Sequence, residues 1–208
     1  MIKIIALLTM FIDHLGQIFF PKYYIFNLIG RLAFPLFAWG IANGYRKTKN
    51  FKSYAFRLFL LAVVSQYPYY LLFKNEFTNV CFTLLFGLFV LKLYDSKLDW
   101  KLKYPYISLL FLTAHILNFE YGIYGIACIA IFYIFKKKHH LVLLQLIITI
   151  FGIYFYDYYP IQIISILSSV IVICFEKYDF KLNKYFQYSF YPLHLIILYL
   201  LSNCLIFK

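Results

Sequence analysis

The sequence predicts an all-α fold: a polytopic transmembrane helical bundle. Three observations carry that reading. The composition is too apolar and too sparsely charged to cover a water-facing surface, nine apolar runs approach the length of a bilayer, and the cations sit in alternate connections between those runs. Of 208 residues, 64% are hydrophobic and 13% charged, with a mean hydropathy of +0.77, whereas a soluble domain carries about 25% charged residues. Twenty-two Tyr and 25 Phe suit a chain with two water–lipid interfaces, where rings lie in lipid and hydroxyls among headgroups. With no Gly/Ser-rich or Pro-rich linker and no internal repeat, residues 1–208 read as one domain.

The runs are 3–20, 25–45, 52–73, 78–94, 104–118, 121–135, 140–156, 158–175 and 185–206. A spanning helix needs about 20 mostly apolar residues. The first run follows Met1-Ile2-Lys3-Ile4, which lacks the charged start and small-residue cleavage site of a secretory signal, so it is expected to remain as the first helix. The fifth and sixth runs are short, as a broken or re-entrant pair would be, which sets the expected count at about nine spans, within eight to ten.

Charge then orients the threading. With a cytoplasmic N-terminus, the inner connections hold Arg46, Lys47, Lys49 and Lys52, then Lys92, Lys97, Lys101 and Lys103, then Lys136 to Lys138, then Lys177, Lys181 and Lys184; the outer ones hold only Lys22, Lys74 and Lys208. This is the positive-inside pattern of a multi-pass protein. It gives the net charge of +12 a use in orientation and in contact with membrane lipids, with no need of nucleic acid. A second use for the inner cations is to hold the phosphates of a nucleotide-like donor.

Ionisable groups inside a membrane are costly and usually face a cavity or a partner. Asp13 and His14 lie about two-thirds along the first run, Arg31 one to two turns into the second, Gln66 in the outer half of the third, and Asn79 and Thr83 at the outer start of the fourth. His115, Asn118 and Glu120 cluster at the next outer turn, Asp157 at the one after, and His194 sits near the middle of the last run. Their shared depth predicts one polar site opening outward. Each residue also has a plainer reading: Asp13 with Arg31 as a buried structural ion pair, His14 as a core histidine, and Asn79, Asn118, Glu120 and Asp157 as turn and capping residues. Cys81, Cys128, Cys174 and Cys204 have no metal-ligand or redox spacing, the histidines form no metal-binding helix, and no Gly-rich phosphate loop is present.

The segments KIIALLTMFIDHLGQIFFP (3–21), LIGRLAFPLFAWGIANGYRK (28–47), TKNFKSYAFRLFLLAVVSQYPY (48–69), NVCFTLLFGL (79–88), EYGIYGI (120–126) and FYPLHL (190–195), in this order, resemble the TraX family of membrane proteins. The resemblance covers most of the chain, most specifically its first 90 residues and its last 20. It implies a transferase of the bacterial inner membrane, related to the pilin acetylase and to broader transmembrane acyltransferases. Such an enzyme moves acetyl from cytoplasmic acetyl-CoA to an extracytoplasmic acceptor, a peptide N-terminal amine or a glycan hydroxyl, with no metal. By that resemblance His14 is the catalytic residue, supported by Asp13 and Arg31; His194, from its depth in the last run, is a second proton-handling candidate. Arg46, Lys47 and Arg57 are expected to hold the donor's phosphates, and Gln66, Asn79, Thr83 and Glu120 to line the polar cavity. The rival reading is a proton-coupled small-molecule transporter, which uses the same intramembrane Asp, His and Arg; a Cys81 peptidase and a scaffold without chemistry are weaker alternatives.

Overall fold

Every one of the nine apolar runs is helical. The structure, a computed structural model, describes residues 1–135, 137–156, 158–180 and 182–206. Lys136, Asp157, Lys181 and Lys208, used above for charge and depth, lie outside the described residues. The helices are α1 (Ile2–Phe19), α2 (Tyr24–Gly30), α3 (Ala33–Lys47), α4 (Phe51–Phe73), α5 (Val80–Tyr94), α6 (Trp100–Ile116), α7 (Gly122–Ile134), α8 (Lys138–Phe155), α9 (Leu167–Phe175) and α10 (Lys184–Ile206). The second run is thus a rod broken once, between α2 and α3 at Arg31, and the eighth enters α9 through a 3₁₀ segment, Pro160–Ile166.

Five segments are long and apolar enough to cross a membrane: Ile2–Phe19, Tyr24–Lys47, Phe51–Phe73, Lys138–Phe155 and Pro160–Tyr178. Their length and the exposed apolar belt mark the chain as a membrane protein. On α4 the belt is a stripe of Phe56, Phe59, Val63 and Tyr67, all well exposed and spaced for one helix face. The shorter apolar helices α5 and α7 rise only about 20–22 Å, less than a hydrocarbon core of about 30 Å. They belong at the centre: α5 packs against α3, α4, α6 and α7, and α7 also packs on α8. The fifth and sixth runs, α6 and α7, remain separate helices joined by a tight turn at 117–121.

Tertiary bonds gather the connections at two ends. At one, the Met1 amine pairs with Asp179 at 3.0 Å, Arg46 donates to the Phe132 and Tyr133 carbonyls, both at 2.7 Å, and the Tyr133 hydroxyl donates to Asp95 at 2.5 Å. These contacts collect the basic connections. At the other end, Thr78 and Phe119 form a short parallel bridge, locking the α4–α5 connection to the 117–121 turn through Thr78 N–Asn118 O (3.0 Å) and Glu120 N–Thr78 O (2.9 Å).

Candidate functional site

The end opposite the cations holds a cavity of about 380 Å³. Asp13, His14, Arg31 and Glu120 line it, with a rim of Tyr69, Tyr121 and Tyr158. His14 is buried and its Nδ1 lies 2.8 Å from Nε2 of His194. His194 Nδ1 lies 2.9 Å from the Phe190 carbonyl oxygen, which only accepts, so Nδ1 of His194 is a donor. With both rings neutral, His194 Nε2 then accepts from His14 Nδ1–H, which leaves the lone pair of His14 on Nε2. The pair is stacked, with centroids 5.0 Å apart at 19°, and Phe73 packs its edge against His14 at 5.0 Å. A carbonyl thus fixes the tautomer of one histidine, which fixes that of the next.

Asp13 does not orient His14. Neighbours on a helix diverge by about 100°, and Asp13 instead accepts from Gln17 Nε2 at 2.9 Å, while its other carboxylate oxygen is buried without a partner. It rests against α2 because Gly30 lacks a side chain: a Cβ there would overlap the Asp13 carboxyl. Arg31, at the α2–α3 break, donates to Gln162 Oε1 at 3.2 Å, and its Nε has no partner. Asp13 and Arg31 face one cavity without an ion pair; among the described residues, the pair within 4.0 Å is Met1–Asp179.

Glu120 is held by strained backbone. Asn118, Tyr121 and Gly122 all have positive φ, at 47°, 66° and 40°, the region that non-glycine residues rarely adopt. Its carboxylate accepts from the Val80 amide at 3.1 Å, the first N–H of α5, where a negative charge is favoured. Burial is the largest influence on this group, followed by the charge of Asp13; together they push its pKa up to about 7, against the Val80 amide and Arg31.

The other expected lining residues do not reach this cavity. Gln66, Asn79 and Thr83 are consumed by the protein itself. The Gln66 carbonyl oxygen accepts from the Asn79 backbone and side-chain N–H at 2.9 and 2.8 Å, and its amide donates to Phe77 O at 3.1 Å. Asn79 also donates to Ala62 O at 2.8 Å and caps α5 by accepting from Cys81 N at 3.0 Å, and Thr83 donates to the Glu120 carbonyl. These three residues hold the turn that presents Glu120, so Arg31 is the cationic donor at the cavity wall.

A second cavity, about 450 Å³, opens at the basic end. Lys3, Lys47, Lys49, Arg57 and Lys184 surround its mouth; Leu7, Met10 and Gly40 line its slot; Val80, Cys81 and Tyr191 stand at the deep end. From Lys3 to Met10 the slot runs about 10 Å along α1. An added Cβ at Gly40 would meet nothing within 4 Å, so the glycine is open space in the slot wall. Arg46 is not at this mouth: its guanidinium caps the carbonyl end of α7 and lies over the Tyr133 ring, 5.2 Å from the centroid.

The cavities meet across a thin wall. Met10 and His14 are one turn apart on α1, Tyr191 and His194 one turn apart on α10, and in each pair the first residue faces the basic cavity while the second belongs to the histidine pair. Val80, in the basic cavity, hydrogen-bonds Glu120 in the polar one. One helical turn is about 5.4 Å. Gln162, Tyr191 and Lys3 are site residues that the sequence did not single out, whereas Lys184 stood there only as one of the inner cations. Gln162 carried a signal, as an amide inside an apolar run; Tyr191 is hidden among 22 tyrosines.

The chain matches the family model described as TraX protein over residues 1–202 and belongs to that family. It is 30% identical over 142 residues to the "Probable fimbrial assembly protein FimC, serogroup H1" of Dichelobacter nodosus, covering 60% of this chain and 57% of that protein. It is 33% identical over 135 residues to "Protein TraX" of Escherichia coli, covering 64% and 54%, and 32% identical over 89 residues to an uncharacterized protein of Rickettsia prowazekii, covering 42% and 34%. The chain spans little more than half the length of the first two relatives. No solved structure matches it.

Proposed function

We propose that this chain is an integral membrane acetyltransferase of the bacterial inner membrane, with its N-terminus and basic end in the cytoplasm. The observation that supports it best is the pair of cavities opening at opposite ends and separated by the His14–His194 pair. Membership of the TraX family and a relative named for fimbrial assembly favour the same reading. Acetyl-CoA would place its phosphates among Lys3, Lys47, Lys49, Arg57 and Lys184 and its narrow arm in the Gly40 slot, bringing the thioester to Val80 and Cys81. The acceptor, a peptide amine or a glycan hydroxyl, would enter the polar cavity.

In this reading His14 Nε2 removes a proton from the acceptor as its nitrogen or oxygen attacks the thioester carbonyl. The new C–N or C–O bond forms, the C–S bond breaks, and the proton held on His14 Nε2 passes to the departing CoA thiolate, which restores the neutral imidazole, so one acceptor proton is exchanged for one acetyl group. His194, anchored by the Phe190 carbonyl, stabilises the imidazolium by accepting from His14 Nδ1–H. Arg31, with an unpartnered Nε, is the charge available for the oxyanion.

The test is calorimetry of acetyl-CoA and free CoA with the detergent-purified protein, beside an acetyl-transfer assay. Micromolar binding of acetyl-CoA is expected. No binding of any acyl-CoA to folded protein, together with proton flux in vesicles lacking acetyl-CoA, would move the assignment to a proton-coupled carrier.

A further inference from the structure

The floor of the basic cavity holds a group to which the reaction described above gives no part. Tyr191 is 5% exposed and its hydroxyl is buried without a hydrogen-bond partner. Such orphans are rare, because a buried polar atom that gives up water for nothing destabilises the fold. Phenylalanine would fill the same volume without that cost. The hydroxyl lies where the cavities approach: its electrostatic neighbours are Cys81 from the basic cavity and Glu120, Tyr69 and Tyr121 from the polar one. Its ring packs on His194, with centroids 5.5 Å apart.

We propose that Tyr191 is the hydrogen-bond donor for the acyl carbonyl of a thioester bound in the basic cavity, and so a catalytic residue that polarises this carbonyl for attack by the acceptor that His14 deprotonates. The inference rests on the acetyltransferase reading and adds to it the group that receives the donor's oxygen. The chemistry at the deep end selects for it. The slot walls are apolar, Glu120 accepts when ionised, and the Cys81 thiol is a weak donor, which leaves the phenol as the strong neutral donor at that depth. A phenol also donates more strongly to the oxygen as negative charge builds on it, so its contribution grows along the reaction coordinate.

The experiment compares acetyl-CoA with S-ethyl-CoA, a thioether that lacks only the carbonyl oxygen, on wild type and Tyr191→Phe. Wild type is expected to bind acetyl-CoA about tenfold more tightly than the thioether, and Tyr191→Phe to bind both alike. In turnover, Tyr191→Phe should raise KM for acetyl-CoA about tenfold, as the ground-state hydrogen bond is lost, and lower kcat about 100-fold, as the stronger bond to the developing oxyanion is lost, while its melting temperature holds or rises because the orphan hydroxyl is gone. Discrimination retained in a folded Tyr191→Phe protein, or an unchanged kcat, would overturn the role of Tyr191 and leave the acetyltransferase reading standing. A wild-type protein that bound neither compound would overturn both.

Discussion

The two cavities lie one helical turn apart and are made of opposite materials. The basic one is a slot of small and apolar side chains with cations only at its mouth; the polar one gathers Asp13, Glu120, His14 and Arg31 around tyrosines. Their supports differ as much. The slot is walled by ordinary helix faces, and at Gly40 it is simply empty space. The polar cavity rests on a turn with positive φ at Asn118, Tyr121 and Gly122 and on Asn79, Gln66 and Thr83 spent on holding it. Shape therefore distinguishes the first cavity and placed charge the second, as expected if one receives a long, narrow donor and the other carries out proton transfer.

That contrast is broken most severely at His14. His14→Ala should reduce acetyl transfer by about 10³-fold or more while donor binding stays within about twofold, since a general base contributes about 10²–10⁴; single-turnover assays beside calorimetry separate the two effects. Gly40→Leu should do the reverse. Filling open space, it should abolish donor binding by about 100-fold without lowering the melting temperature; a variant that still bound acetyl-CoA normally would remove the slot from the account.

The mouth sharpens the comparison further. Arg57→Ala should weaken acetyl-CoA binding about tenfold, less at high salt, because the lost contact is a charge on phosphate. Arg46→Ala should leave binding unchanged and cost about 1 kcal/mol of stability through the uncapped α7 carbonyls, which thermal melts detect. The smallest effect is one of pH. The Glu120 carboxyl is raised in the folded state from 4.5 to about 7, so the folded chain holds this proton more tightly than the unfolded chain. Its contribution to stability is full below about pH 4.5 and is lost as pH rises through about 7. Glu120→Gln should flatten that part of the melting profile between pH 4 and 8.

Helix placement was legible because hydrophobic length is a local property: each apolar run became a helix, and the polar depth argument brought Asp13, His14, Arg31, Glu120 and His194 to one region. What stayed hidden depends on partners far along the chain. His14 and His194 are 180 residues apart, and no spacing rule links them. Gln66, Asn79 and Thr83 have the same residue types as cavity-lining groups, and only their partners reveal them as scaffold. Arg46 looked equivalent to Lys47, yet successive residues on a helix point about 100° apart, and Arg46 turned to α7. Lys3, isolated from the basic clusters in sequence, reached the mouth because α1 packs beside α3.

In the proposed reaction donor and acceptor enter from opposite sides and meet at the histidine pair. Reconstitution in sealed vesicles with the basic end inside tests it most directly. Radiolabelled acetyl-CoA is enclosed, and a membrane-impermeant peptide with a free amine and an impermeant polysaccharide are supplied outside. Label is expected on an external acceptor with wild type and none with His14→Ala or Gly40→Leu. No label outside, with transfer only when the same acceptor is sealed in with the donor, would contradict it, because both substrates would then use the basic side.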